Sequence, residues 1–471
     1  MDAVSVSSSL YHFLSIVLFA SLFFSIKSYN YSDLVKTDRS LFFLIVFLFI
    51  ISSVYFLSTE DNQNRYFLAL VLAGIGASSL LSPVIALGHV ISFLILRPWE
   101  LIPDDTTLLS LPRILIFLFF ISLLLQTIKK QSFSFKVGKI QILFLAYLIW
   151  VFLSASASGY ADEAQTIYFD TFFKSIFLAW LTYQVISDEK DYNYILRVIS
   201  LAVFGVAIFA LVKTFYLAPS ARLEGAGAIQ NSNDLAAILI FVFPLSLAHL
   251  LRKKINLSET VFLFIAASTI SLALWKAQSR AAYLALLAML LVYWLSQKSF
   301  SKKYLLKVLA IGLISSVILF QLSLGRDASD LQESKTNRIG YWKAGAKMAV
   351  RHPVLGIGFD QYPKNFNLYG VEGLTEGTER TAHSSWVLVV AENGFPALFL
   401  LIAIFYYAFK SAWSCRLEKP ELIVALCGYT ICFSFLSHTY WLYPYLLLAL
   451  IFSSDIKNQS YLNFNWKRKK L

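Results

Sequence analysis

Charge is scarce in this sequence. Only 14% of its 471 residues are Asp, Glu, Lys or Arg, while 58% are hydrophobic, a balance that excludes an ordinary soluble globule. Cysteine is scarcer still. Cys415, Cys427 and Cys432 are the only three, and they show neither a disulfide framework nor metal-ligand spacing. Cys427 and Cys432 read as buried apolar filler. There is no heptad pattern to argue for a coiled coil, and no ten-residue alternation to argue for an outer-membrane barrel. Of the six histidines, no pair has the spacing of a metal hydrolase, so neither a metal nor a cofactor is expected.

Apolar runs are what the chain has in abundance. Stretches of roughly 15 to 25 residues recur from one end to the other, the length a bilayer core demands. They begin with Leu10–Ile26 and Leu41–Leu57 and finish with Ser385–Tyr407, Leu422–Leu436 and Tyr440–Phe452. Leu10–Ile26 lacks a basic lead and a small-residue cleavage site, so it reads as a mature helix. The expectation is an all-α polytopic membrane protein with about 12 to 15 transmembrane helices. Between Tyr66 and Leu96, Ser82-Pro83 either separates two short helices or kinks one long one.

Lysine and arginine bias sets the orientation. "IKKQSFSFKVGK" (Ile128 to Lys139), "RKKINLSE" (Arg252 to Glu259), "QKSFSKK" (Gln297 to Lys303), "KSAWSCRLEK" (Lys410 to Lys419) and the tail "WKRKK" fall on one, cytoplasmic side when spans alternate. The net charge of +12 is then topology and contact with membrane lipids, with no nucleic acid needed to explain it. "RPWELIPDDTT" (Arg97 to Thr107) and the acidic "SGYADEAQ" (Ser158 to Gln165) lie outside. Five regions follow: N-terminal helices over 1–216, further helices over 217–324, an outer loop over 325–383, C-terminal helices over 384–454 and a basic tail over 455–471.

The outer loop is about sixty residues long, and loops of that length are usually functional or disordered. Within it, "NRIGYWKAGAKMAVRHP" (Asn337 to Pro353) sets Ile339, Trp342, Ala346 and Ala349 on one side at helical spacing. It reads as a short helix lying on the membrane face, with Trp342 as an interfacial anchor. Gly356 and Gly358 read as a structural turn, since no strand precedes them and no GK[ST] follows. At the end of the loop, His383 stands where a polar run gives way to the apolar span "SSWVLVVAENGFPALFLL".

The set "RIGYWKAGAKMAVRHPVLGIGFDQYP" with "AHSSWVLVVAENGFPALFLL" resembles the signature region of the O-antigen ligase and polymerase superfamily. That superfamily includes lipopolysaccharide O-antigen ligases, exopolysaccharide polymerases and O-linked oligosaccharyltransferases. "ARLEGAGAIQNSNDLAAIL" (Ala221 to Leu239) and "QSRAAYLAL" (Gln278 to Leu286) resemble its two arginine elements, in the same order. Ser384 follows the histidine where many members carry asparagine, which leaves the acceptor open.

The resemblance implies a GT-C-like, metal-independent glycosyltransferase of the bacterial inner membrane, with the loop in the periplasm. Such an enzyme takes a glycan from undecaprenyl diphosphate and passes it to an acceptor hydroxyl on a glycolipid, a growing glycan or a protein. A ligase is favoured over the polymerase and protein-glycosylating alternatives. His383 would be the general base, a role suited to an imidazole. Arg222 and Arg280 would hold the diphosphate, which a bidentate guanidinium fits. Arg338 either joins them, pairs with Glu333 or fixes the loop, and Lys174 either pairs with Asp170 or extends toward the diphosphate. Asn231 and Asn233 cap the following helix or support the ligand. Glu392, about half a turn round the helix from His383, receives no role. The competing class is a transporter or flippase, which would show mid-membrane ionisable groups and inverted repeats.

Overall fold

The structure is a computed structural model that describes residues 62–101, 107–130, 132–133, 136–217, 221–251, 257–297, 328–370, 381–454, 462–463 and 466–467. The expected spans Leu10–Ile26, Leu41–Leu57 and Tyr304–Leu324 lie outside these residues. The helices are α1 (Asn62–Ser79), α2 (Pro83–Leu96), α3 (Thr107–Lys130), α4 (Lys139–Ser156), α5 (Ala161–Ile167), α6 (Lys174–Val185), α7 (Glu189–Leu217) and α8 (Ser232–Leu251). After them come α9 (Leu257–Ala277), α10 (Arg280–Leu295), α11 (Ala328–Arg351), α12 (Tyr362–Tyr369), α13 (Ser385–Ser414), α14 (Pro420–Phe435) and α15 (Leu442–Ser454). The fold is an all-α polytopic bundle. Among the described residues, four helical stretches are long and apolar enough to cross a membrane, Ser110–Ile128, Lys139–Ser156, Glu189–Tyr216 and Ser385–Ser414, and five shorter apolar helices accompany them.

Ser82 settles the choice left open at Pro83. Its side chain accepts the Val84 N–H and Pro83 takes the first helical turn, so α1 and α2 are separate helices. The outer surfaces of α3 and α4 carry exposed apolar stripes, Ile114, Phe117 and Leu124 on one and Ile142, Leu145 and Ile149 on the other. Such stripes at helical spacing are lipid-facing surfaces.

Side-chain contacts sort the connections onto two faces of the bundle. On the lower face, Lys136 donates to the Ile186 carbonyl and Lys419 pairs with Glu189 at 2.7 Å. There too, the short strand pairs Ser132–Phe133 with Trp466–Lys467 and Lys136–Val137 with Leu462–Asn463 bind the tail to the α3–α4 connection. On the upper face, Lys364 of α12 pairs with Glu163 of α5. The basic connection and the basic tail therefore share one side, as charge bias requires.

The decisive irregularity is in α13. Gly394 has φ 76° and ψ 177° inside the helix, and Pro396 follows. Proline has no N–H, so the Glu392 carbonyl loses its ordinary partner. The loop before α12 replaces it. Gly358 N–H donates to the Glu392 carbonyl and Ile357 N–H to the Ala391 carbonyl, while Phe395 N–H donates to the Pro353 carbonyl. Ser154 of α4 also donates to the Glu392 carbonyl, at 2.8 Å, and the Trp150 indole to that of Asn393. A broken helix survives in a membrane only when its freed groups are satisfied in this way. Glycine is required at 394, because a Cβ there would come within 2.1 Å of the Val354 carbonyl oxygen.

Three expectations are corrected. The loop helix is not short: α11 has 24 residues. Its buried face is Tyr341, Ala344, Met348 and Ala349, whereas Ile339 is exposed. The helix packs on α13 because this apolar face meets protein, and half-buried Trp342 stands 6.3 Å from Phe435. The last span starts at Leu442, which leaves Tyr440 and Trp441 in the upper turn.

Two outcomes are expected. In a cysteine-free background, an impermeant maleimide should label Ser329→Cys but not Ser460→Cys in intact spheroplasts; the reverse labelling would invert the bundle. Gly394→Ala should cost roughly 1 to 3 kcal/mol of stability, the strain of a forced left-handed residue plus the clash. Thermal unfolding in detergent measures it, and an unchanged midpoint would contradict the glycine argument.

Candidate active site

The upper face is built from helix ends. Leu223 N–H donates to the Lys276 carbonyl and ties the segment after α7 to the last turn of α9. That placement sets Arg222 over the carbonyl end of α9. Its Nε and one terminal nitrogen donate to the Ala277 carbonyl at 3.1 and 2.9 Å, and the same terminal nitrogen reaches the Asn233 side chain at 3.2 Å. A helix C-terminus carries unsatisfied carbonyls and partial negative charge, so a guanidinium there is both a cap and a favourable charge. Arg222 thereby braces the turn Gln278–Ser279, which leads directly into Arg280.

Arg280 is exposed at the first residue of α10, while Arg338, on α11, is half-buried. Burial, and then the neighbouring Arg280 charge, hold the Arg338 guanidinium below its ordinary pKa. Two cations that influence each other at an upper helix end favour an anion nearby. One turn along α11 from Arg338, Tyr341 lies 5.6 Å from the His383 ring. His383 is half-buried and adopts φ 45° just before α13. That left-handed conformation is uncommon for a non-glycine residue and recurs at functional sites. The other non-glycine residues with positive φ, Arg97, Gln278 and Asp360, stand on the same face.

A second set of contacts joins the arginine segment to the histidine. Asn231 accepts the Asn233 N–H at 2.8 Å and starts α8, the capping role, while the Asn233 side chain accepts from Arg222. Next to it, Asp234 meets His438 Nε2 at 2.9 Å. The His438 N–H donates to the Ser385 hydroxyl, two residues from His383. His438 is buried between Tyr429, whose hydroxyl lies 3.0 Å from Nδ1, and Trp441, stacked at 4.3 Å. Both ring nitrogens of His438 are thus engaged within the fold.

Lys174 stands apart from this rim. It pairs with Asp170 at 2.6 Å and also lines a cavity of about 500 Å³ shared with Arg97, Arg113, Trp99, Tyr440 and Trp441. Of the two sequence readings of Lys174, the pair with Asp170 is the one the geometry shows. The residues Tyr168–Phe173 before it are wound as a π-helix, a feature common at functional positions. Sequence reasoning missed Arg97, Arg113 and Tyr440 as neighbours of Lys174. An arginine beside the tryptophan in "RPW" was the available signal. Among the described residues no group of three His, Cys, Asp or Glu side chains is arranged to hold a metal ion.

These elements define a polytopic helical membrane protein whose upper face carries Arg222, Arg280, Arg338 and a left-handed His383. Residues 262–402, from α9 through the break in α13, match the family model described as O-Antigen ligase, in agreement with the sequence resemblance. It contains Arg280, Arg338, His383 and Glu392. Residues 64–219 match a second model, described as a family of unknown function (DUF5935), which contains Lys174. No curated protein matches the chain. The ligase match supports a membrane enzyme of the O-antigen ligase or polymerase type.

Arg222→Lys should lower the unfolding midpoint in detergent, because one ammonium cannot replace donors fixed on the Ala277 carbonyl and Asn233. The expected loss is about 1 to 3 kcal/mol; a variant as stable as its parent would show that the cap contributes nothing.

Proposed function

We propose that the protein is an inner-membrane glycosyltransferase that moves a glycan from undecaprenyl diphosphate to an acceptor hydroxyl at the periplasmic face, in the manner of an O-antigen ligase. The observation that supports this best is that Arg280, Arg338 and His383 all fall inside the ligase match, with the Arg280 charge acting on Arg338 and Tyr341, one turn along α11, lying beside His383. The leaving group is a lipid diphosphate, so charge builds up on phosphate oxygens as the glycosidic bond breaks. Fixed guanidinium donors at Arg280 and Arg338 stabilise that charge without reorganising. Arg222 holds the turn that presents Arg280 and adds to the positive field, and Lys174 meets the lipid-proximal part of the donor.

His383 accepts the proton of the acceptor hydroxyl. The oxygen attacks the anomeric carbon from the side opposite the diphosphate, the bond to the diphosphate oxygen breaks, and undecaprenyl diphosphate departs with inversion at carbon. A positioned general base contributes roughly 10² to 10⁴ in rate. The charged groups gather at one face, an arrangement that suits a reaction at the membrane surface better than the midplane relays of a transporter or flippase.

Purified protein, lipid-linked glycan and each candidate acceptor in turn give the test. His383→Ala should collapse turnover while donor binding stays near the parent's, and metal chelators should leave the rate unchanged. The parent's rate should climb with pH as an imidazole loses its proton, then level. A His383→Asn enzyme at the parental rate would end the base assignment. Arg280→Ala and Arg338→Ala should instead weaken donor binding and its salt dependence together, and lysine should restore each only in part.

A further inference from the structure

Glu392 is a carboxylate with 1% of its surface exposed, and among the described residues no lysine or arginine pairs with it. A buried carboxylate without a cation is costly and persists only where hydrogen bonds hold it. Glu392 has them. Oε1 accepts the Tyr362 N–H at 2.9 Å and Oε2 accepts the Tyr440 hydroxyl at 2.5 Å. Its own backbone carbonyl is one of those freed by the break and taken by Gly358 and Ser154.

From Tyr362 the contacts lead to the rim. Glu392 grips the backbone where α12 begins, which places the Tyr362 ring under α11. The Tyr362 hydroxyl donates to the Tyr341 carbonyl at 2.6 Å. Burial, then the Glu392 and Tyr341 neighbours, hold that hydroxyl above its ordinary pKa, so it remains a donor. Gly345 permits the close approach, since a Cβ there would come within 2.4 Å of Val387. The Tyr341 ring in turn faces His383, and Arg338 lies one turn away on the same helix. On the other side, Tyr440 receives the Asn393 amide at 2.7 Å, packs 4.3 Å from Phe359 and lines the cavity that contains Lys174.

We propose that Glu392 is a positioning residue for His383: through Tyr362 and Tyr341 it sets the imidazole against the rim, and through Tyr440 it ties that setting to the wall of the Lys174 cavity. The proposal rests on the reading of His383 as the base. Misplacing a catalytic group by about 1 Å costs up to roughly a hundredfold in rate. A loss of that size in kcat, with donor KM unchanged, is therefore what Glu392→Ala produces. Glu392→Gln keeps an acceptor for Tyr362 N–H and recovers most of it. Tyr362→Phe, which removes only the hydroxyl that meets the Tyr341 carbonyl, lowers kcat in the same way.

Two measurements test this separately from the base assignment. First, kcat and KM are measured for Glu392→Ala, Glu392→Gln and Tyr362→Phe, each at a melting temperature checked against the parent. Second, a cysteine at position 383 (His383→Cys) is titrated with an impermeant maleimide, alone and combined with Glu392→Gln, Glu392→Ala or Tyr362→Phe. The labelling rate should change severalfold with Glu392→Ala and Tyr362→Phe and little with Glu392→Gln. Unchanged labelling in all three would overturn the positioning role, whatever His383 does chemically. So would a Tyr362→Phe enzyme with parental kcat whose His383→Ala counterpart is inactive. Altered labelling together with an active His383→Ala enzyme would keep the positioning and remove the base.

Discussion

The break at Gly394 governs the upper half of this molecule. A membrane helix interrupted by glycine and proline exposes carbonyls and an N–H that lipid cannot satisfy. The segment from Pro353 to Gly358 supplies the missing partners, and in doing so is drawn down onto α13. Neither element is tenable alone: the helix needs the loop for its hydrogen bonds, and the loop gains from the helix a fixed position. Glu392, at the break, extends the same logic from backbone to side chain.

Electrostatics complete what the backbone begins. The carbonyl end of α9 receives Arg222, so that guanidinium serves the fold, while the Arg280 charge lies near enough to act on half-buried Arg338. Like charges on neighbouring elements repel one another. That arrangement makes sense for a protein whose ligand brings negative charge, since the ligand relieves what folding imposes.

Much of this was legible in residue order. Long apolar runs and clustered lysines established the helical class and the shared side of the α3–α4 connection and the tail. The arginine and histidine elements could be recognised locally, and Asn231 capped its helix as its type suggests. Other features were out of reach. Spacing named a candidate membrane side for α11 but not the face it buries in protein, because Ile339 and Trp342 look apolar whichever surface they meet, and only the docking on α13 shows that Tyr341 and Met348 are buried there. The "NGFP" in α13 carried a signal for a kink, yet nothing in its neighbourhood names the loop that fills it. Tyr440 was read as part of a span because an aromatic at a helix end fits water and lipid equally.

Residue order by itself determined what each segment can tolerate: which runs must lie in lipid, which ends must stay on the basic side, and where a left-handed turn needs glycine. Those are local consequences of solvation and backbone sterics. Tertiary structure alone decided which helix ends meet, and so which charges share a site. Arg222 lies 161 positions before His383 by number, and contacts through Asn233, Asp234, His438 and Ser385 join their segments. Each link depends on two distant segments packed at one depth, a property of the assembled bundle that no single stretch contains.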